Sequence, residues 1–155
     1  MTDYIEKEYN KLCKKYKLPK FKQFNEEFEV NTIEDTDFLL KNVLRRVSEK
    51  LDFYSNLINS VLLPDTSSLS SMHEVRFFSE REKSEMYKIF KKIMKIDRKI
   101  ITLVLGHDEK LQSEFLNGFF GEWLEIKNQL VVFVKKMKDS WDRETTIEED
   151  VAYFG

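Results

Sequence analysis

The sequence predicts an all-α fold, an antiparallel bundle of three long helices joined by an N-terminal helix and an irregular arm. Three observations carry this. Apolar residues recur at steps of three and four over three long stretches, which places them on one face of a helix. Only four glycines and two prolines interrupt 155 residues, too few for a turn-rich β fold. The connections between the long stretches are short, and short connections force antiparallel neighbours.

Taken in order, residues 1–18 form the N-terminal helix, with Ile5, Tyr9, Leu12, Cys13 and Tyr16 on one face. Pro19 ends it, because the residue before a proline is pushed out of helical geometry. Residues 19–36 read as an irregular arm pinned to the bundle by Phe21, Phe24, Phe28, Val30 and Ile33, with Phe28 to Val30 a candidate extended stretch. The three long helices occupy residues 37–141. The first starts at Thr36, a candidate N-cap, buries Leu40, Val43, Val47, Leu51, Tyr54, Ile58 and Val61, and stops at Pro64.

A polar, serine-rich loop from Asp65 to Ser71 follows, exposed enough for phosphorylation or proteolysis. The second long helix opens on Ser79 with Glu82 three residues on, the capping-box pattern in which each residue bonds the other's backbone N–H. Phe77 or Phe78 staples this entry to the core. The core face is Met86, Phe90, Ile93, Ile96, Ile100, Leu103 and Val104, and Gly106 is placed as the C-terminal stop. The third helix runs from Asp108 to Trp141. Its rhythm (Leu111, Phe115, Phe119, Trp123, Ile126, Leu130, Phe133, Met137, Trp141) passes through Gly118 and Gly121 without a slip. Close helix packing is the expected role of these two glycines. Residues 142–155 form an acidic and aromatic tail, with a helical turn expected after Thr146. All of this fits one domain, 1–155.

Composition narrows the function classes. Hydrophobic residues make up 41% and charged residues 35%, too apolar for a disordered chain and too charged for a membrane protein. No apolar run approaches the ~18 residues of a membrane span. The single cysteine, Cys13, rules out an intramolecular disulfide. With a charged N-terminus lacking a signal core, the expected location is intracellular, in the cytoplasm. The net charge of −2 implies no nucleic-acid partner globally, so any such claim rests on local patches.

Catalytic and metal chemistry finds little support. A di-iron bundle needs a Glu-x-x-His pair on each of two helices, whereas His73 and His107 are the only histidines and neither has Glu three residues before it. Both read as caps or solvent contacts at helix boundaries. Cys13 reads as a small core residue. No nucleophile elbow, phosphate-cradling loop or Cys-x-x-Cys is present. No cofactor, metal or enzymatic activity is expected.

Local charge is the remaining signal. Lys88, Lys91, Lys92, Lys95 and Lys99 form one stripe opposite the core face of the second long helix. The N-terminal segment adds Lys7, Lys11, Lys14, Lys15, Lys17, Lys20 and Lys22, interleaved with Tyr9, Tyr16, Phe21 and Phe24. Lysines could hold a phosphate backbone while aromatics stack bases. They would equally suit an acidic protein surface, or form only a solvated face. Acidic residues cluster from Glu26 to Asp37 and again at Glu144, Glu148, Glu149 and Asp150. In the tail they flank Ile147, Val151, Tyr153 and Phe154, a candidate docking segment that would otherwise pack on its own bundle. The expectation is a non-enzymatic protein-interaction module, an adaptor or accessory subunit of a larger assembly. The alternative is an RNA- or ribosome-associated factor using the lysine stripe. The oligomeric state is left open.

Overall fold

A computed structural model describes residues 2–152 and is all-α over that range. The helices are α1 (Thr2–Lys15), α2 (Phe21–Phe28), α3 (Leu39–Leu62), α4 (Leu69–Val75), α5 (Glu80–Leu105), α6 (Glu109–Ser140) and α7 (Ile147–Ala152), with a 3-10 turn at Val30–Thr32. The three long helices are those the apolar repeat marks out, and α6 passes through both glycines as one helix. They form two compact units. The first is built from Met1–Asp52 and Lys95–Glu125, the second from Phe53–Met94 and Ile126–Gly155, so each takes one segment of α3, α5 and α6.

The first unit closes over an aromatic core. Tyr9 and Phe24 are fully buried, and Tyr9 meets Phe21 edge to face at 5.5 Å. Phe28 lies 5.4 Å from Trp123 and 5.7 Å from Phe119. The polar ends of these rings are satisfied, as burial requires. Tyr9 Oη donates to the Pro19 carbonyl at 2.7 Å, and Trp123 Nε1 donates to Glu27 Oε2 at 2.9 Å. Lys50 donates to the Glu27 carbonyl while its ammonium lies over the Phe28 and Trp123 rings. Burial, reinforced by Cys13, pushes the Tyr9 hydroxyl far above its ordinary value, and burial likewise raises the Cys13 thiol. A raised thiol is the reverse of an activated nucleophile.

Residues 19–36 correct the expectation of an irregular arm. Phe21, Phe24 and Phe28 sit three and seven residues apart, and burying all three winds the segment into α2. Phe28 to Val30 is not extended. Glu29 takes the left-handed conformation (φ 52°) and its N–H donates to the Asn25 carbonyl, while Asn25 Oδ1 accepts from Asn31 N–H at 2.8 Å. Thr36 is not the cap of α3. Phe38, at φ 54°, immediately precedes that helix and its carbonyl accepts from Asn42 N–H at 3.1 Å.

The second unit packs Ile58, Val61, Met72, Val75, Phe78, Met86, Ile89, Ile93, Ile126, Leu130, Phe133 and Met137. The expected serine loop, Asp65 to Ser71, gives way at Leu69 to α4, capped where Ser68 Oγ accepts from Ser71 N–H at 3.3 Å. The capping box opens α5 as expected: Ser79 N–H donates to Glu82 Oε1 at 3.0 Å, and Glu82 N–H to Ser79 Oγ at 3.1 Å. Phe78, just before it, is buried against Phe133.

Gly106, in the first unit, is where α5 stops, as expected, but it does not adopt positive φ, so the helix ends without a left-handed cap. The expectation for the glycines of α6 fails. Gly118 and Gly121 do not mark close packing, because a methyl group added at either would meet no atom within 4 Å. Both glycines therefore cost helix stability with no packing return. Gly118→Ala and Gly121→Ala should each raise unfolding stability by about 0.5–1 kcal/mol in urea titrations. Ser79→Ala should lower it by about 1 kcal/mol.

Candidate functional site

The second unit carries two features that chemistry could use, a groove between α5 and α6 and the seat of α7. The groove has a volume of about 730 Å³ and is lined by Glu82, Glu85, Lys88, Ile89, Lys91, Lys92, Gln129, Val132 and Phe133. Its floor is apolar: Ile89 and Phe133 are buried, and Val132 is open to solvent at 65%. Helix geometry explains this. Turning Phe133 into the core rotates Val132, about 100° behind it, onto the flank facing the groove. The same reasoning on α5 sends Lys88, Lys91 and Lys92 outward once Ile89 and Ile93 are buried.

The charge balance inside the groove is one-sided. Glu82 is already engaged by Lys136 at 2.5 Å and by its own helix cap, and Glu85 pairs with Arg81 at 3.6 Å. The Lys136 hydrogen bond is the main cause that holds the Glu82 carboxyl below its ordinary value, against the opposing effect of burial. Among the described residues Lys88, Lys91 and Lys92 form no ion pair, although Lys91 Nζ rests 4.9 Å over the Tyr87 ring. The five lysines singled out in the sequence are all exposed on α5. Three of them rim this groove, while Lys95 and Lys99 fall in the first unit.

Of the aromatics interleaved with the N-terminal lysines, three are buried and Tyr16 is half-buried. Tyr9, Phe21 and Phe24 are core residues of the first unit. In the same unit His107 is a surface contact, its Nδ1 lying 2.8 Å from the Lys41 ammonium. Among the described residues no group of three His, Cys, Asp or Glu side chains is placed to hold a metal ion. Nor, among those residues, is any helix long and apolar enough to cross a membrane.

His73 departs from the expected solvent contact. It lies on α4, is 3% exposed and has both ring nitrogens engaged. Nε2 donates to the Ser140 carbonyl at 2.7 Å, and Nδ1 lies 3.0 and 3.1 Å from the two Asp150 carboxylate oxygens. Arg76 also bonds Asp150, and Trp141 stacks on the imidazole at 4.2 Å. Burial pushes the Asp150 carboxyl up, but hydrogen bonds from His73 and Arg76, with their charges, outweigh it and leave the carboxyl below its ordinary value. With both nitrogens committed, this imidazole has no free position from which to act on a substrate. It is an anchor for α7.

The anchor fixes the fate of the candidate tail segment. α7 begins after Thr146, as expected, and Thr146 Oγ1 accepts from Glu149 N–H at 3.2 Å. It returns to its own unit through Asp150, yet Ile147 and Val151 stay 59% and 54% exposed. Tyr153 and Phe154 lie outside the described residues. Sequence reading missed the His73, Arg76 and Asp150 cluster because its partners are 74 and 77 residues apart, and only the three-residue step from His73 to Arg76 on α4 is a local trace of it.

No family model, curated protein or solved structure matches the chain.

The depressed Asp150 carboxyl gives α7 a defined acid response. A carboxyl whose folded value is lowered contributes stability that is present above its unfolded value, about 4, and is lost as pH falls through the lower folded value. Acid titration followed by tryptophan emission should show Trp141 losing its docked environment only below about pH 4. Asp150→Asn should loosen the tail already at neutral pH and abolish that acid step. An unchanged profile in the variant would mean that Asp150 does not hold α7.

Proposed function

We propose that the chain is a non-enzymatic protein-interaction module, an adaptor or accessory subunit, that receives an acidic amphipathic helix in the α5–α6 groove. The observation that carries this reading is the pairing of an apolar floor with a cationic rim. Ile89, Val132 and Phe133 offer a strip for one face of a helix, and Lys88, Lys91 and Lys92 stand beside it with no internal ion pair among the described residues. This is the helix-in-groove mode, in which apolar anchors supply affinity and flanking charge supplies orientation and association rate. An RNA backbone would use the lysines but would have no use for Val132. The burial of Tyr9, Phe21 and Phe24, which leaves only Tyr16 partly exposed among the aromatics between the N-terminal lysines, also favours the helix-binding reading.

The test is fluorescence anisotropy with a labelled helical peptide of about 16 residues, leucine on one face and glutamate on the other. Binding should weaken several-fold between about 50 and about 300 mM salt. It should fall about tenfold or more in Val132→Asp and in the double variant Lys91→Glu, Lys92→Glu. Equal binding by wild type and both variants would sink the proposal. A single-stranded RNA that binds more tightly than the peptide, is lost in the lysine variant and is indifferent to Val132→Asp would replace it with the nucleic-acid reading.

A further inference from the structure

The groove asks for a helix with two properties, an apolar face about one turn long and acidic residues beside it. One segment of this chain has both. On α7, Ile147 and Val151 lie four residues apart on one face and are exposed, and Glu144, Glu148 and Glu149 around them are exposed as well. None of these three glutamates forms an ion pair among the described residues. Asp150 is spent on the anchor at His73 and Arg76, and Ile147 borders that seat beside His73 and Trp141, yet more than half of the Ile147 and Val151 side chains stays exposed. A six-residue helix docked this way leaves its most hydrophobic atoms unburied, which the fold of one copy does not explain.

We propose that α7 of one copy docks in the α5–α6 groove of a second copy, so that the chain associates with itself head to tail. The proposal rests on the groove being a helix-binding site, and it names the helix. The dimensions agree. At 1.5 Å per residue, Ile147 to Val151 spans about 6 Å along the α7 axis, as do Lys88 to Lys92 along α5. Charge agrees too: Glu148 flanks the Ile147 and Val151 face in an acidic tail, and Lys88, Lys91 and Lys92, which form no ion pair among the described residues, rim the groove, so Ile147 and Val151 fall to the Val132 strip. The tail need not leave its own seat, because with Asp150 in place Ile147 and Val151 still keep 59% and 54% of their surface exposed.

Two consequences follow from the geometry. The groove and the tail are different patches, so the contact is heterologous and does not close on itself as a two-fold dimer would. Association therefore proceeds past the dimer as concentration rises. A helix this short buries less than the roughly 800 Å² per partner of a standard interface, so the contact is weak and transient.

Sedimentation velocity on the full chain tests this between about 10 µM and about 1 mM, where weak contacts populate. Wild type should show a weight-average mass that climbs with concentration beyond a dimer and falls on adding salt. The groove variant (Lys91→Glu, Lys92→Glu) and the tail variant (Ile147→Asp, Val151→Asp) should each remain monomeric. An equimolar mixture of the two should form a heterodimer and nothing larger, because each supplies the one face the other lacks. Adding Glu148→Lys and Glu149→Lys to an otherwise intact tail should abolish association with the wild-type groove and restore it with the groove variant. A wild type that stays monomeric throughout, or one whose association survives either variant, overturns the proposal. If the chain is monomeric yet the acidic peptide still binds the groove, only the self-association fails and the helix-binding function stands.

Discussion

The constraint on which the rest depends is the continuous core stripe of α6. Leu116, Phe119 and Trp123 serve the first unit, and Ile126, Leu130, Phe133 and Met137 the second, all within one 32-residue helix. Steps of three and four keep this stripe in phase, and once it is buried no other residue of α6 can choose its direction. Val132 is pushed to the flank because Phe133 goes inward. Gly118 and Gly121 lie on the open side, which is why the helix tolerates two poor helix formers a turn apart. The same burial sets α5, where Met86, Ile89 and Ile93 face inward and fix the lysines outward. The groove is thus a by-product of two core stripes, and its chemistry follows from what the sequence places one step off each stripe.

Legibility divides along the same line. The three long helices could be read because each repeats its apolar pattern over many turns, and the Ser79 and Glu82 box could be read because its logic is local. The short helices were harder. α2 and α4 have eight and seven residues, below the length at which a helix sustains itself in water. They form because Phe24 and Phe28, or Met72, His73 and Val75, gain burial against distant elements. Thr36 misled for a related reason. It favours helix ends, but the start of α3 is set by Phe38 at positive φ, whereas Gly106 does stand at the end of α5. The exposure of Lys88, Lys91 and Lys92 was legible. That the groove's acidic residues are already occupied was not, since Lys136 lies 54 residues from Glu82.

The two ends of the second unit's chemistry contrast in how polar groups are used. At His73 every donor and acceptor is matched. Among the described residues no buried side-chain nitrogen or oxygen lacks a partner. Such a fully satisfied cluster contributes placement, and breaking any one member would strand the others in a dry site. At the groove the opposite holds: among the described residues Lys88, Lys91 and Lys92 remain outside any ion pair beside an apolar strip.

That contrast bears on why the tail is anchored through a carboxylate. Had α7 packed by its apolar face, Ile147 and Val151 would be buried and the segment would be a seventh structural helix with nothing to offer. Docking through Asp150 reverses the presentation. The carboxylate is fixed by His73 and Arg76 in a partly dry site, so the short helix is held while more than half of Ile147 and Val151 stays exposed. The surplus negative charge of the tail, at Glu144, Glu148 and Glu149, is left exposed to solvent. The chain's near-neutral net charge of −2 conceals this arrangement. Opposite patches cancel in the sum yet remain separate on the surface, and net charge alone says nothing of such local fields.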